Sequence, residues 1–193
     1  MKSITLKASL RKELGKKASN EIRKNEMVPC VLYGGKEHID IQAEAKAFKD
    51  VLYTPDVYVV NVDIDGDVHP AVIKELQMHP TSDEPLHVDF LEISDDKPIV
   101  IDMPLKTSGS SIGVREGGKL AVEKRKIRLK GLVKDTPDVV VLDITTLGVG
   151  RSIKAGDIDI PSVEVMMPKG TPIVSVRATR ATATAEDQSA AAE

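Results

Sequence analysis

The chain has 193 residues, of which 41% are hydrophobic and 30% are charged, and its formal net charge is −3. This is enough apolar material for one large domain or two modest ones. Because the chain has only two Phe, three Tyr and no Trp, its core must consist mainly of Val, Ile and Leu, which favours strands. The single cysteine, Cys30, excludes a disulfide framework and a thiolate metal cluster, and its apolar neighbours predict burial. We find no secretion signal and no run of the roughly 20 apolar residues that a membrane span needs, so we expect a soluble, cytosolic protein.

Positive charge is concentrated near the amino terminus. Residues 1–36 hold nine Lys or Arg and three Asp or Glu, a net of +6, whereas residues 37–100 hold four and fifteen, a net of −11. Residues 101–193 hold fourteen and twelve, a net of +2. The cations of the first segment cluster at 11–36. This asymmetry indicates that one face of the protein meets a polyanion.

The first half of the chain alternates between strand and helix patterns. In chain order we predict strands at 3–9, 30–33, 39–42, 57–64, 68–77 and 86–93, and helices at 18–25 and 44–53. Gly34-Gly35 predicts a turn that another backbone can approach closely. Asp65-Gly66 is typical of a two-residue hairpin turn, and Pro70 implies an edge position or a bulge in its strand.

The polar stretch 94–98 separates this region from a second one without helical patterns. We place the domain boundary there, which gives a first domain at 1–93 and a second, all-β domain at 99–180 resembling a small sandwich or barrel. The glycine-rich segment 109–118 predicts a mobile loop, and 181–193 predicts a disordered tail. The predicted strands of the second domain are 99–106, 120–123, 125–133, 139–144, 163–167 and 172–178.

A basic strand and three polar residues are the candidates for chemistry. The cations at 124–130 are read as one solvated strand face in preference to a second nucleic-acid patch. His87 and Asp89 share a strand face, and His79 precedes them. The three would suit a metal site or a hydrolytic centre, but no further ligand and no nucleophile-elbow motif accompanies them, so an outward-facing polar strand is the simpler interpretation. The same side chains are also able to read base edges.

Paired motifs now indicate a family. RKELGKKAS followed by VPCVLYGGK, and ELQMHP followed by HVDF, resemble the family of the twenty-fifth large-subunit ribosomal protein of bacteria. The resemblance covers residues 3–92 by motif and continues through GVREGG to residue 178, as in the long form known as general stress protein Ctc. It implies a non-enzymatic protein that binds 5S ribosomal RNA in the cytoplasm, as part of the large ribosomal subunit.

The resemblance also implies an architecture and a set of contact residues. The fold class is mainly β (α+β): an amino-terminal β-barrel with short helices, akin to the anticodon-binding barrel of glutaminyl-tRNA synthetase, followed by the second β domain. Lys and Arg would neutralise phosphates, whereas Gln, His and Asp would bond to base edges or ribose hydroxyls. Tyr33 would stack, donate its hydroxyl or be buried. Carried over by motif, the RNA-contacting residues are Arg11, Lys16, Ser19, Arg23, Tyr33, Gly35, Lys36, Gln77, His79, His87 and Asp89.

One departure from the family pattern bears on phosphate binding. Asn20 and Glu21 stand where family members commonly carry further arginines. Glu21 either faces the RNA and repels phosphate, or it points to solvent or pairs with a nearby lysine such as Lys17, four residues earlier.

The resemblance also sets the expected partners. They are 5S rRNA, proteins of the large subunit and, further, 23S rRNA, with no cofactor, no metal and no membrane, and a monomer off the ribosome. A tRNA-binding module, a stress protein acting off the ribosome and a hydrolase using His87 and Asp89 remain alternatives.

Overall fold

The computed structural model describes residues 1–35, 37–94 and 97–179, and it confirms a mainly β fold with few short helices. These residues form two compact units. The first comprises Met1–Ile99 and Leu132–Asp138, and the second comprises Val100–Gly131 and the described residues from Val139 onward. The tail predicted at 181–193 lies outside the described residues. In the part of the chain that is described, no helix has the length and apolarity to cross a membrane.

The first unit is a six-stranded closed barrel. Its order is β1-β3-β2-β6-β5-β4, and the barrel closes because the first and fourth strands pair in parallel, from Lys2 opposite Tyr58 to Ala8 opposite Ile64. The Asp65-Gly66 turn is confirmed, with both residues at positive φ, as a two-residue hairpin turn requires. The elements are β1 (Lys2–Leu10), α1 (Lys16–Lys24), β2 (Met27–Tyr33), β3 (Ile39–Glu44), a 3-10 helix (Ala45–Phe48), α2 (Lys49–Leu52), β4 (Tyr58–Ile64), β5 (Asp67–Met78) and β6 (Pro85–Glu92).

Alternate side chains of these strands fill the barrel. Cys30, Leu32, Val88 and Phe90 are fully buried, and Phe48 of the 3-10 helix stacks on Phe90 with ring centroids 6.3 Å apart. The predicted burial of Cys30 is confirmed, and this burial raises the pKa of its thiol strongly.

Two local predictions for this unit concern the helix after β3 and the position of Pro70. The helix predicted at 44–53 is confirmed to within one residue at each end: the 3-10 helix Ala45–Phe48 runs directly into α2, and Phe48 and Val51 are its buried residues. Pro70 is not at a bulge, since the bulges of β5 lie between Ile73 and Glu75 and next to Met78. It is paired with Asn61 of β4, whereas the register with β6 begins only at Ala71, so its position is locally that of an edge, as predicted. The proline is tolerated because it lies where the pairing with β6 ends.

The second unit contains two open sheets. One has the order β10-β7-β9-β12 and the other β11-β13-β8. The prediction of a loop at 109–118 is wrong at its centre, where the short helix α3 (Ile112–Arg115) lies. Ser111 caps this helix: the Ser111 Oγ accepts from Val114 N at 3.3 Å and donates to Leu147 O at 2.6 Å. The elements are β7 (Ile99–Ser108), α3 (Ile112–Arg115), β8 (Lys119–Val122), β9 (Lys126–Gly131), β10 (Val140–Asp143), β11 (Ser152–Lys154), a 3-10 helix (Ala155–Asp157), β12 (Glu164–Val165) and β13 (Pro172–Arg177).

Candidate nucleic-acid interface

The outer surface of three neighbouring strands collects most of the predicted polar contacts. On β6, Val88 and Phe90 point into the barrel, so His87 and Asp89 point outward. The register places Gln77 of β5 opposite His87, and Glu75 opposite Asp89. On the other side of β6, Val31 of β2 pairs with Asp89, and Tyr33 lies two residues further along. We call this surface the β2–β6–β5 face.

His87 and Asp89 form a close imidazole–carboxylate pair at the centre of this face. His87 Nδ1 lies 2.7 Å from Asp89 Oδ1, and the two side chains are 25% and 28% exposed. The carboxylate faces Nδ1, so Nε2, on the other side of the ring, is the nitrogen left for a ligand.

Tyr33 lies beside this pair and is half-buried. Its ring stacks on His38 with centroids 6.5 Å apart and an interplanar angle of 23°. Burial, followed by the negative charges of Asp89 and Glu75, raises the pKa of the Tyr33 hydroxyl, so the phenol keeps its proton and remains a donor. The ring is therefore half-buried and stacked within the protein, and its contact with RNA stays a prediction.

His79 lies at the end of β5, in an exposed turn that leads into β6. Its amide donates to Glu84 O at 2.8 Å, and its carbonyl accepts from Asp83 N at 3.1 Å. Its ring nitrogen Nδ1 accepts from Ser82 N at 3.3 Å and lies 3.1 Å from Thr81 Oγ1. The ring is therefore fixed by its own turn.

Helix α1 carries the cationic part of the site next to β2. Gly15 precedes the helix with φ 104°, and Ala18 is its buried residue. Arg23 donates from Nε to Leu86 O of β6 at 3.1 Å, so this arginine attaches the helix to the strand that carries His87. Arg11 is half-buried and donates from Nη2 to Ser19 Oγ at 3.2 Å.

These contacts give several predicted site residues an internal role as well. Hydrogen bonds of Arg11, Ser19 and Arg23 hold the helix in place, and their contact with RNA stays a prediction, whereas Lys16 is exposed and suited to a phosphate. Lys12, Lys17 and Lys24 are equally exposed, although the family motif did not include them.

Asn20 and Glu21 are both exposed on α1. Asn20 Oδ1 accepts from Arg23 Nη1 at 3.4 Å, and no ion pair joins Glu21 to Lys17 in the structure. Glu21 is thus a negative charge within a cationic helix.

Gly35 is packed against the protein itself. A Cβ at this position would overlap the carboxylate of Glu92, which also contacts His69 Nδ1 at 3.2 Å. A side chain at Gly35 would therefore displace the Glu92 carboxylate, and the contact of Gly35 with RNA stays a prediction. Lys36 lies outside the described residues.

The structure thus brings Tyr33, Gln77, His87 and Asp89 together, with α1 alongside, and places His79 and Gly35 towards opposite ends of β6. Sequence reasoning missed Glu75 and His38. Alternation back from Gln77 would have found Glu75, which belongs to the same outward series. His38 joins the site only because the turn after β2 returns it to Tyr33.

The structure gives little support to a metal site or to a second nucleic-acid patch. Among residues 1–35, 37–94 and 97–179, no group of three or more His, Cys, Asp or Glu is arranged to hold a metal ion. The basic strand β9 carries neighbouring acids: Arg128 forms two hydrogen bonds with Asp102, at 2.8 and 3.2 Å, and Lys130 lies 4.0 Å from Glu164. These pairings favour the solvated strand face over a second nucleic-acid patch.

Comparison with known proteins gives the same assignment for both units. Residues 6–90 match the Ribosomal L25p family, and residues 98–180 match the carboxy-terminal domain of ribosomal protein TL5. The large ribosomal subunit protein bL25 of Phocaeicola vulgatus is 40% identical over 190 residues, covering 94% of this chain and 95% of its own. The proteins of the same name from Azobacteroides pseudotrichonymphae (40% identical, covering 93% and 96%) and Porphyromonas gingivalis (36%, covering 94% and 95%) are similar.

The barrel, its polar face and these relatives define a ribosomal protein, a class not known as enzymes, and the chain is not an enzyme. The chain belongs to the Ribosomal L25p family, in a form that continues into a TL5-type carboxy-terminal domain.

Proposed function

We propose that this protein is a structural component of the large ribosomal subunit in the bacterial cytoplasm, where it binds 5S rRNA through the β2–β6–β5 face and α1. The observation that carries the proposal is the division of labour within one continuous surface. Exposed lysines on α1 are able to neutralise phosphates. They lie beside a row of His, Asp, Gln and Tyr side chains on the barrel that are able to form hydrogen bonds with base edges.

The face is suited to RNA with exposed base edges. Asp89 and Glu75 lie at its centre and would repel phosphates, whereas a carboxylate accepts hydrogen bonds from base amino groups and ribose hydroxyls. The phosphates are then expected along α1, where Lys16, Lys17 and Lys24 are exposed. Proteins of the large subunit and 23S rRNA are the further partners we propose.

Binding of the full chain to 5S rRNA tests this proposal. His87→Ala and Gln77→Ala should each weaken binding by about 5- to 150-fold, the equivalent of roughly 1–3 kcal/mol for a specific base contact. Gln42→Ala is the matched control: its side chain is half-buried on β3, two strands from β6, and it should bind as the wild type does.

Circular dichroism should show the same fold in all three variants. Competition with tRNA distinguishes this function from that of a tRNA-binding module, because only unlabelled 5S rRNA should displace labelled 5S rRNA from the protein. Equal loss in the Gln42 variant, or displacement by tRNA at the same concentration, would refute the assignment.

A further inference from the structure

The two histidines of the interface are held by their Nδ1 atoms in opposite ways. His87 Nδ1 lies 2.7 Å from Asp89 Oδ1. An ionised carboxylate carries no proton and would repel the lone pair of an unprotonated Nδ1 at this distance, so the carboxylate favours the ring with its proton on Nδ1. In the neutral ring, Nε2 of His87 then carries a lone pair and is an acceptor.

His79 has the reverse arrangement. Its Nδ1 faces the backbone amides of Ser82, at 3.3 Å, and Thr81, at 3.5 Å. A backbone amide only donates, so Nδ1 of His79 must be unprotonated, and the Thr81 hydroxyl at 3.1 Å is able to donate to the same lone pair. The proton of the neutral ring is therefore on Nε2, which is a donor.

We propose that His79 and His87 recognise RNA groups of opposite polarity: the Nε2 atom of His87 accepts a hydrogen bond from a donor on the RNA, and the Nε2 atom of His79 donates one to an acceptor. This inference rests on the proposed function. Each tautomer is fixed inside the protein before RNA arrives, so each histidine rejects a partner of the wrong polarity.

The polarity selects the chemical groups. Donors available to His87 are the amino groups of guanine, adenine and cytosine and the ribose 2′-hydroxyl. Acceptors available to His79 are phosphate oxygens, purine N7 and base carbonyl oxygens. Because His79 lies in the exposed turn after β5 and His87 lies on the barrel face, the two contacts would address different parts of the RNA.

Nitrogen NMR of the free full-length protein tests the tautomers without any RNA. Long-range proton–nitrogen spectra are recorded over a pH series, so that the neutral form of each ring is identified directly. His79→Asn and His87→Asn assign the signals, and each asparagine retains a polar group at the δ position while removing Nε2. We expect a protonated Nδ1 in His87 and a protonated Nε2 in His79. The same tautomer in both rings, or a doubly protonated His87 ring at the pH of the binding assay, overturns the proposal.

Chemically modified 5S rRNA tests the recognition. Inosine in place of guanosine, purine riboside in place of adenosine and 2′-deoxyribose each remove a donor, whereas 7-deazapurines and phosphorothioates remove or weaken an acceptor. At least one donor removal should weaken wild-type binding about 5-fold or more, yet leave the His87→Asn protein unaffected at that position. At least one acceptor removal should behave likewise with His79→Asn.

The controls separate this inference from the proposed function. If the wild-type protein fails to bind unmodified 5S rRNA, the proposed function fails. If it binds, but the His87-dependent positions are acceptors or the His79-dependent positions are donors, the polarity assignment is wrong and the interface stands.

Discussion

The charge of α1 allows a quantitative test of how the protein meets phosphates. Asn20 and Glu21 are exposed on this helix, and Glu21 does not pair with Lys17 in the structure. Changing both residues to Arg adds up to two phosphate contacts. Each contact should steepen the slope of log affinity against log salt by roughly 0.7–0.9, so the double variant should add about 1.4–1.8. Asn20→Arg also removes the acceptor for Arg23 Nη1, but Arg23 keeps its bond to Leu86 O.

The assay is a titration of 5S rRNA at 50, 100 and 200 mM salt. The advantage of the double variant should shrink by about 7- to 12-fold across this fourfold range, which follows from the added slope. The gain should be insensitive to base changes in the RNA, because phosphate contacts position the protein without reading sequence.

A charge-matched control distinguishes local contact from overall charge. Asp67→Arg with Val68→Arg changes the net charge by the same amount at the exposed tip of the β4–β5 hairpin, far around the barrel from α1. This control should leave the salt slope close to that of the wild type. Parallel slopes for all three proteins would refute the assignment of α1 to the phosphates.

Three further predictions concern the first unit. A fragment covering 1–93 should fold alone and keep 5S rRNA binding, because all six barrel strands lie within it; an unfolded fragment in circular dichroism would contradict the domain division we propose. Burial raises the pKa of the Cys30 thiol above its unfolded value of about 8.5, so the stabilisation by the protonated thiol is complete below that value and is lost as pH rises. Between pH 7.5 and 9.5, the free energy of unfolding measured with urea should fall by about 1.4 kcal/mol more in the wild type than in Cys30→Ala, and equal losses would refute this. Gly35→Ala should destabilise the wild type, because the new Cβ overlaps the Glu92 carboxylate. In a Glu92→Ala background the overlap is gone, so the same substitution should be neutral or stabilise by up to about 1 kcal/mol. Thermal unfolding measures both effects, and destabilisation in both backgrounds would count against this.

The sequence alone determined the strands and the polar residues that we propose as RNA contacts. Alternating side chains, the Asp65-Gly66 turn and the apolar surroundings of Cys30 are encoded within a few neighbouring residues, so each was predictable. The outward placement of His87 and Asp89 followed from their spacing of two along one strand. The cationic character of α1 was equally a local property.

Only the tertiary structure decided how these elements combine. Barrel closure depends on parallel pairing of β1 with β4, and of β2 with β6, between segments more than fifty residues apart, and no local pattern encodes such a pairing. The pairing of β5 with β6 places Glu75 opposite Asp89, and the packing of the barrel brings Phe48 onto Phe90 in the core.

The roles of Arg11 and Arg23 also required the fold. Both are cations in a basic segment, and composition treats them as phosphate ligands. In the structure they donate hydrogen bonds to Ser19 Oγ and to Leu86 O, because the fold places these oxygens within reach of the guanidinium groups. The proton positions of His79 and His87 have the same origin: a ring nitrogen takes its role from the group that tertiary structure places opposite it, and sequence does not specify that group.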